Sequence, residues 1–143
     1  MSKILLIAAD HGGYELKAVL KTHAEEAGWQ VIDFGTDTSD RVNYPVFAQK
    51  LCRAVLAGEG QFGVLICGSG IGMSMAANRF KGIRAAVCHD VTTARLAREH
   101  NDANILCLGG RTTGAETAKN CLRTFLETEF EGERHKQRVD LLG

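Results

Sequence analysis

Two hydrophobic patterns alternate along this chain. Short, mostly apolar, β-prone runs recur at Ile4 to Ala9, Gln30 to Phe34, Phe62 to Cys67, Ile83 to Cys88 and Asn104 to Leu108. Runs of this length with little polar alternation predict strands buried on both faces. Between them the spacing turns helical. Tyr14 to Ala27 carries Leu16, Val19, Leu20, His23 and Ala27 on one stripe and stops at Gly28. Pro45, the only proline, suits the first turn of a helix from Tyr44 to about Ala57. Further helices are predicted from the glycine-rich stretch to near Phe80, from an Asp90 N-cap to His100, from Thr112 or Thr113 to about Phe130, and from Glu133 to Leu142. Strands alternating with helices predict parallel βαβ units. The expectation is α/β: a three-layer α/β/α, Rossmann-like domain with a five-stranded parallel sheet, one unit over residues 1–143.

Composition narrows the function classes. Lys plus Arg equals Asp plus Glu at 17 each, which argues against a nucleic-acid or membrane-surface partner. No apolar run approaches the length of a membrane span, and Ile4 to Ile7 reads as a first strand, since a signal peptide would need a longer apolar region and a cleavage site. The five cysteines, at 52, 67, 88, 107 and 121, form no C-x-x-C pair and are odd in number. Neither a disulfide framework nor a metal knot is expected, so reduced thiols in the cytoplasm fit best, four of them as small core residues.

The chemistry centres on Cys67-Gly68-Ser69-Gly70-Ile71-Gly72, between a buried strand and a helix start. Glycines at alternate positions let backbone N–H groups converge on one point, which welcomes an anion or a developing oxyanion. A dinucleotide fingerprint needs G-x-G-x-x-G after the first strand, and the spacing here differs. A cysteine-phosphatase loop needs an arginine where this chain has Met73. A tight turn with a core cysteine stays open, as does a phosphorylated, enolisable substrate with Cys67 as the reactive group.

In open parallel sheets ligands bind beyond the carboxyl ends of the strands. Asp10, His11, Cys67, the glycine loop, His89, Asp90, Gly109, Gly110 and Arg111 all fall at such ends. Arg111 is either a surface cap or a phosphate clamp. Arg134 and Arg138 are four apart and share one helix face, either solvated or aimed at one anion. His100 closes a helix before Asn101-Asp102, as a C-cap or as a proton donor favoured by the helix dipole. His23 reads as structural.

The ordered set of motifs resembles the type B ribose-5-phosphate isomerases, a family that includes the subunits of galactose-6-phosphate isomerase. The resemblance rests on Ala9-Asp10-His11-Gly12-Gly13, Asp40-Arg41-Val42-Asn43-Tyr44-Pro45, the Cys67 to Gly72 loop with Ala76-Ala77-Asn78, Gly82-Ile83-Arg84-Ala85, Arg98-Glu99-His100-Asn101-Asp102, Gly109-Gly110-Arg111 and Phe130-Glu131-Gly132-Glu133-Arg134-His135. It implies a reversible aldose–ketose isomerisation of a sugar phosphate without metal or cofactor, with ribose 5-phosphate first among the substrates. Allose 6-phosphate, galactose 6-phosphate, a four-carbon ketose phosphate, or a non-catalytic sugar-phosphate-binding subunit are the alternatives. By resemblance Cys67 moves the proton between C2 and C1, and His100 assists ring opening with Asp10 nearby. Ser69 and the N–H groups of Gly68, Gly70, Ile71 and Gly72 hold the enediolate oxygens. His11, Arg111, Arg134 and Arg138 take the phosphate, and Asn101 touches the sugar. A second subtype carries a glutamate where this chain has Met73, which implies the cysteine subtype. Ser69 replaces a frequent threonine, and Glu133 stands where glycine is frequent.

The physical needs agree: a base near the carbon, donors for the oxyanion, a ring-opening acid and an anchor for the far phosphate. Topology adds a constraint. Asp10 and Cys67 follow their strands, whereas His100 precedes one, so the two sets sit on opposite sheet edges about 16 Å apart for a strand of about five residues. A homodimer that shares its sites, alone or within a tetramer, is therefore expected.

Overall fold

The computed structural model describes residues 3–143. The elements run β1 (Ile4–Ala9), α1 (Tyr14–Glu26), β2 (Gln30–Asp33), α2 (Tyr44–Leu56), β3 (Phe62–Cys67), α3 (Ile71–Ala77), β4 (Ala85–Val87), α4 (Val91–Asn101), β5 (Ile105–Gly109), α5 (Ala115–Glu127) and α6 (Arg134–Leu142). All five strands are parallel, in the order β2-β1-β3-β5-β4. The expected three-layer α/β/α sheet is therefore present, with β5 inserted between β3 and β4.

Strand alternation divides the core into two. Leu5, Ile7, Val64, Ile66, Leu106 and Leu108 point toward α1, α4 and α5. Leu6, Ala8, Leu65, Cys67, Ile105 and Cys107 point toward α2 and α3. Every residue of β3 and β5 is buried, which is why these strands read as continuous apolar runs. Each fully buried Leu or Ile contributes about 1.5–3 kcal/mol of transfer free energy. Phe62 meets Phe125 edge-on, with ring centroids 5.5 Å apart, and closes the first core below α5.

Several boundaries differ from the sequence expectation, each for a tertiary reason. β4 is shorter than Ile83 to Cys88 because the Arg84 N–H donates to the Asn104 side chain at 2.8 Å instead of joining a ladder. α3 starts in the glycine-rich stretch as expected but stops at Ala77, short of Phe80. Asn78 ends it by gripping Ala85 twice: Nδ2 donates to the Ala85 carbonyl at 2.9 Å, and the Ala85 N–H donates to Oδ1 at 2.8 Å. α5 begins after Gly114, not at Thr112 or Thr113, because the Thr113 N–H turns back to the Gly109 carbonyl at 3.0 Å. Asp90 caps α4 as expected, accepting from the Thr93 N–H at 2.7 Å.

All five cysteines are unpaired and buried. Burial pushes the Cys52 thiol up to about 12 and the Cys88 thiol to about 11, from an ordinary value of 9.0. Between these limits the unfolded chain has released protons that the folded chain keeps. The stabilisation is thus complete below about pH 9 and is lost as pH rises through the folded values. The urea midpoint should fall from about pH 9 upward. In Cys52→Ala that alkaline fall should be shallower than in the wild type, and equal slopes would remove Cys52 from the account.

Candidate active site

The loops after β1, β3 and β5 meet at the carboxyl edge of the sheet. The Asp10 N–H donates to the Ile66 carbonyl at 3.1 Å, the Gly110 N–H to the Cys67 carbonyl at 2.8 Å, and the Arg111 N–H to the Gly68 carbonyl at 2.9 Å. These bonds continue the sheet ladder into the loops. The packing is close enough to demand glycine at Gly110, where a Cβ would stand 2.2 Å from the Gly12 carbonyl oxygen. Gly70 is required for another reason: its φ of +80° lies in the left-handed region that turns the chain into α3.

A cavity of about 330 Å³ opens there, lined by Asp10, Tyr44, Cys67, Gly68, Ser69, Gly72, Arg111 and Thr112. Cys67 is only 5% exposed, and its Sγ accepts a hydrogen bond from the Gly70 N–H at 3.1 Å. Asp10 is buried, and its carboxylate accepts from the Gly12 N–H at 2.8 Å. Ser69 Oγ accepts from the Ile71 N–H at 3.2 Å at the start of α3. The Arg111 side chain lies against Gly68, whose added Cβ would meet Cδ at 3.5 Å. His11 Nδ1 accepts from the Val42 N–H at 3.2 Å, which leaves Nε2 to carry the ring proton as a donor. Met73 is fully buried in the core, so the position that carries glutamate in the other subtype offers no side chain to this cavity.

Tyr44 and Thr112 line the cavity without having been singled out as site residues by the sequence. For Tyr44 a signal was available: Pro45 marks a helix start, and in a βαβ fold helix starts share the edge where strands end. Its ring covers Gly72, where an added Cβ would come within 2.8 Å of it. A larger recess of about 390 Å³, lined by residues of α1 including His23 and by Lys119, gathers no comparable chemistry.

The remaining expected site residues stand elsewhere. His100 and Asn101 form the last turn of α4, next to the segment that enters β5. Asn101 lines a second recess with Asn78, Arg84 and Leu142. Arg134 and Arg138 are exposed on α6, one turn apart, and α6 packs on α4. A buried guanidinium fixes this corner. Arg98 donates to the Asp102 carboxylate at 2.9 Å, the Ala103 carbonyl at 2.7 Å and the Thr128 carbonyl at 3.1 Å. It also stacks 4.8 Å from the Phe62 ring centroid. His100 stacks on His135 with ring centroids 4.3 Å apart. Burial, with the Arg134 cation beside it, holds His135 below its ordinary value of 6.5. The structure therefore brings Asp10, Cys67, Ser69, the glycine loop and Arg111 together, with His11 following Asp10 in the same turn. It gathers His100, Asn101, Arg134 and Arg138 at the other side of the sheet.

Known proteins are similar to this chain over nearly its whole length. The profile of the Ribose/Galactose Isomerase family matches residues 5–142. Ribose-5-phosphate isomerase B of Escherichia coli K12 is 45% identical over 140 residues, covering 98% of this chain and 94% of that protein. The solved structure of ribose-5-phosphate isomerase B from Clostridium thermocellum superposes with a TM-score of 0.97 at 48% identity, covering 98% of this chain and 95% of that one. The corresponding protein of Thermotoga maritima gives a TM-score of 0.97 at 46% identity, covering 99% and 98%. With its fold, its cavity-lining loops and nearly its full length matched, the chain belongs to the ribose/galactose isomerase family.

Proposed function

We propose that this isomerase interconverts ribose 5-phosphate and ribulose 5-phosphate through an enediolate, with Cys67 moving the proton. The observation that carries the reading is the Cys67 thiol at the end of β3, facing the Gly70 N–H at 3.1 Å in a cavity that Asp10, Ser69 and Arg111 also line. The base form of a thiol is the thiolate, and an N–H aimed at sulfur strengthens as charge gathers there. Cys67 takes the C2 proton of the open aldose, and the electrons of that bond pass to the C1 carbonyl oxygen. Ser69 and the loop N–H groups hold the oxygen as it becomes negative. The proton of the C2 hydroxyl passes to the C1 oxygen as the C2 carbonyl forms, and the thiol, whose proton exchanges with solvent, delivers a proton to C1 to give the ketose.

Ring opening needs an acid at the ring oxygen. His100 is the candidate, with Asp10 beside the sugar. Five residues of β5 separate the edge that holds His100 from the edge that holds Cys67, or about 16 Å, whereas a hydrogen bond must close to about 3 Å. The reading is therefore a homodimer in which each site takes His100, Asn101, Arg134 and Arg138 from the second copy. The phosphate then lies between His11 and Arg111 of one chain and the two arginines of the other. An apolar ridge supports self-association at this edge: Ile71 and Met75, one turn apart on α3, are 49% and 61% exposed beside the catalytic loop. Five unpaired thiols suit a reducing compartment.

Cys67→Ala should abolish exchange of the substrate's C2 proton with solvent while phosphate binding persists. Cys52→Ala and Cys121→Ala should keep exchange, and exchange that survives in Cys67→Ala would reject the assignment. A second measurement tests the shared site. Cys67→Ala and His100→Ala proteins should each be nearly inactive alone. Mixed after reversible dissociation, half of the dimers carry one intact site of two, so about a quarter of wild-type activity should return. Mixed dimers that form without any recovery would place His100 in its own chain's site or outside catalysis.

A further inference from the structure

His100, Glu131 and His135 converge from the end of α4 and the start of α6. One donor atom of each lies within 4.8 Å of the other two, and among the described residues no other three His, Cys, Asp or Glu side chains are so grouped. Both histidine Nε2 atoms face the same carboxylate oxygen: His135 at 3.5 Å and His100 at 3.9 Å from Glu131 Oε1. These separations are too long for hydrogen bonds, which close to about 2.7–3.2 Å. The His135 separation is what a shared ion requires, and His100 has to close a few tenths of an ångström to reach it. Ligand bonds of about 2.0–2.2 Å at a tetrahedral angle set donors about 3.3–3.6 Å apart.

His135 supplies an independent observation. The residue is only 8% exposed, and its Nε2 is buried with no hydrogen-bond partner, aimed at Glu131. A polar nitrogen in that state lacks a ligand. The frame around it is rigid. The Glu131 N–H donates to the Glu99 carbonyl at 3.1 Å, and the His135 N–H donates to the Gly132 carbonyl at 3.0 Å. The side chains of His100 and Glu131 are 37% and 44% exposed on the single chain.

We propose that His100, Glu131 and His135 form a binding site for a divalent cation of the zinc class, and that the bound ion inhibits turnover by occupying His100. Two imidazoles and one carboxylate match the nitrogen and oxygen ligands such ions prefer, and leave a fourth position to water. Magnesium and calcium, which require mostly oxygen, do not fit. The ion is no cofactor, since no step of the isomerisation passes through it. The two rings stack with their planes 17° apart, so binding turns the His100 ring out of the stack to aim its lone pair at the ion; inhibition rests on the role read for His100 above.

Cobalt(II) is the probe, added to chelator-treated, full-length protein and followed by its visible absorption. One ion per chain should bind and be displaced by zinc, without the near-ultraviolet charge-transfer band that a thiolate ligand produces. Glu131→Gln and His135→Asn should each weaken cobalt binding at least about tenfold, since even residues one shell further out commonly cost that much. Turnover of the wild type should fall as zinc saturates the site and return with a chelator, and His135→Asn should need correspondingly more zinc. The site is overturned by an absence of saturable binding, by equal binding in both variants, or by a thiolate band that disappears in Cys67→Ser. Zinc bound at the site without loss of turnover keeps the site, and overturns both the inhibition and the role of His100 on which it rests.

Discussion

Three strand ends packed backbone against backbone set the geometry of the candidate active site. The ladder bonds from Asp10, Gly110 and Arg111 carry sheet register beyond the strands themselves. Side chains leaving those loops are therefore aimed by the sheet and not by the loops' own preferences. A methyl group at Gly110 would sit 2.2 Å from a carbonyl oxygen of the first loop, so the loops cannot separate slightly to admit one without moving Asp10 and Cys67. Preorganisation of this kind is what proton transfer from carbon requires, because the base and the oxyanion donors must be in place before charge develops.

The opposite corner is held by different physics. No glycine cradle is present there; a buried cation does the fastening. Arg98 spreads its donors over Asp102, Ala103 and Thr128 and sits over the Phe62 ring, which suits a planar, weakly hydrated guanidinium better than an ammonium. Arg84 adds a second tie, donating to the Asp102 carbonyl at 2.8 Å. Between them these arginines stabilise Asp102 at a φ of +48° and so fix where α4 stops and where His100 and Asn101 face.

Most of the architecture was legible in the chain because it is local. β3 and β5 read as apolar runs since both their faces are covered, and Asp90 read as a cap since its partner Thr93 is three residues away. The errors fall where a distant residue decides. Asn78 ends α3 by bonding Ala85 across a loop, and Asn104 shortens β4 by taking the Arg84 N–H. The stacking of His100 on His135 joins residues far apart in sequence, and no periodicity encodes it. One oddity acquires a reason. Glu133, at a position where the family often has glycine, adopts a φ of +50°, a conformation that glycine reaches without strain.

The strand order has a consequence for the chain during synthesis. β4 pairs with β5 and with no other strand, and β5 fills the place between it and β3. A ribosome-bound fragment that ends before Ile105 thus holds β4 with no neighbour and β3 with one edge unpaired. The first three strands can zip together as they emerge, but the sheet closes only when β5, in the last third of the chain, arrives. Arg111 follows β5 by two residues, so the candidate active site and the completed sheet come into existence in the same event.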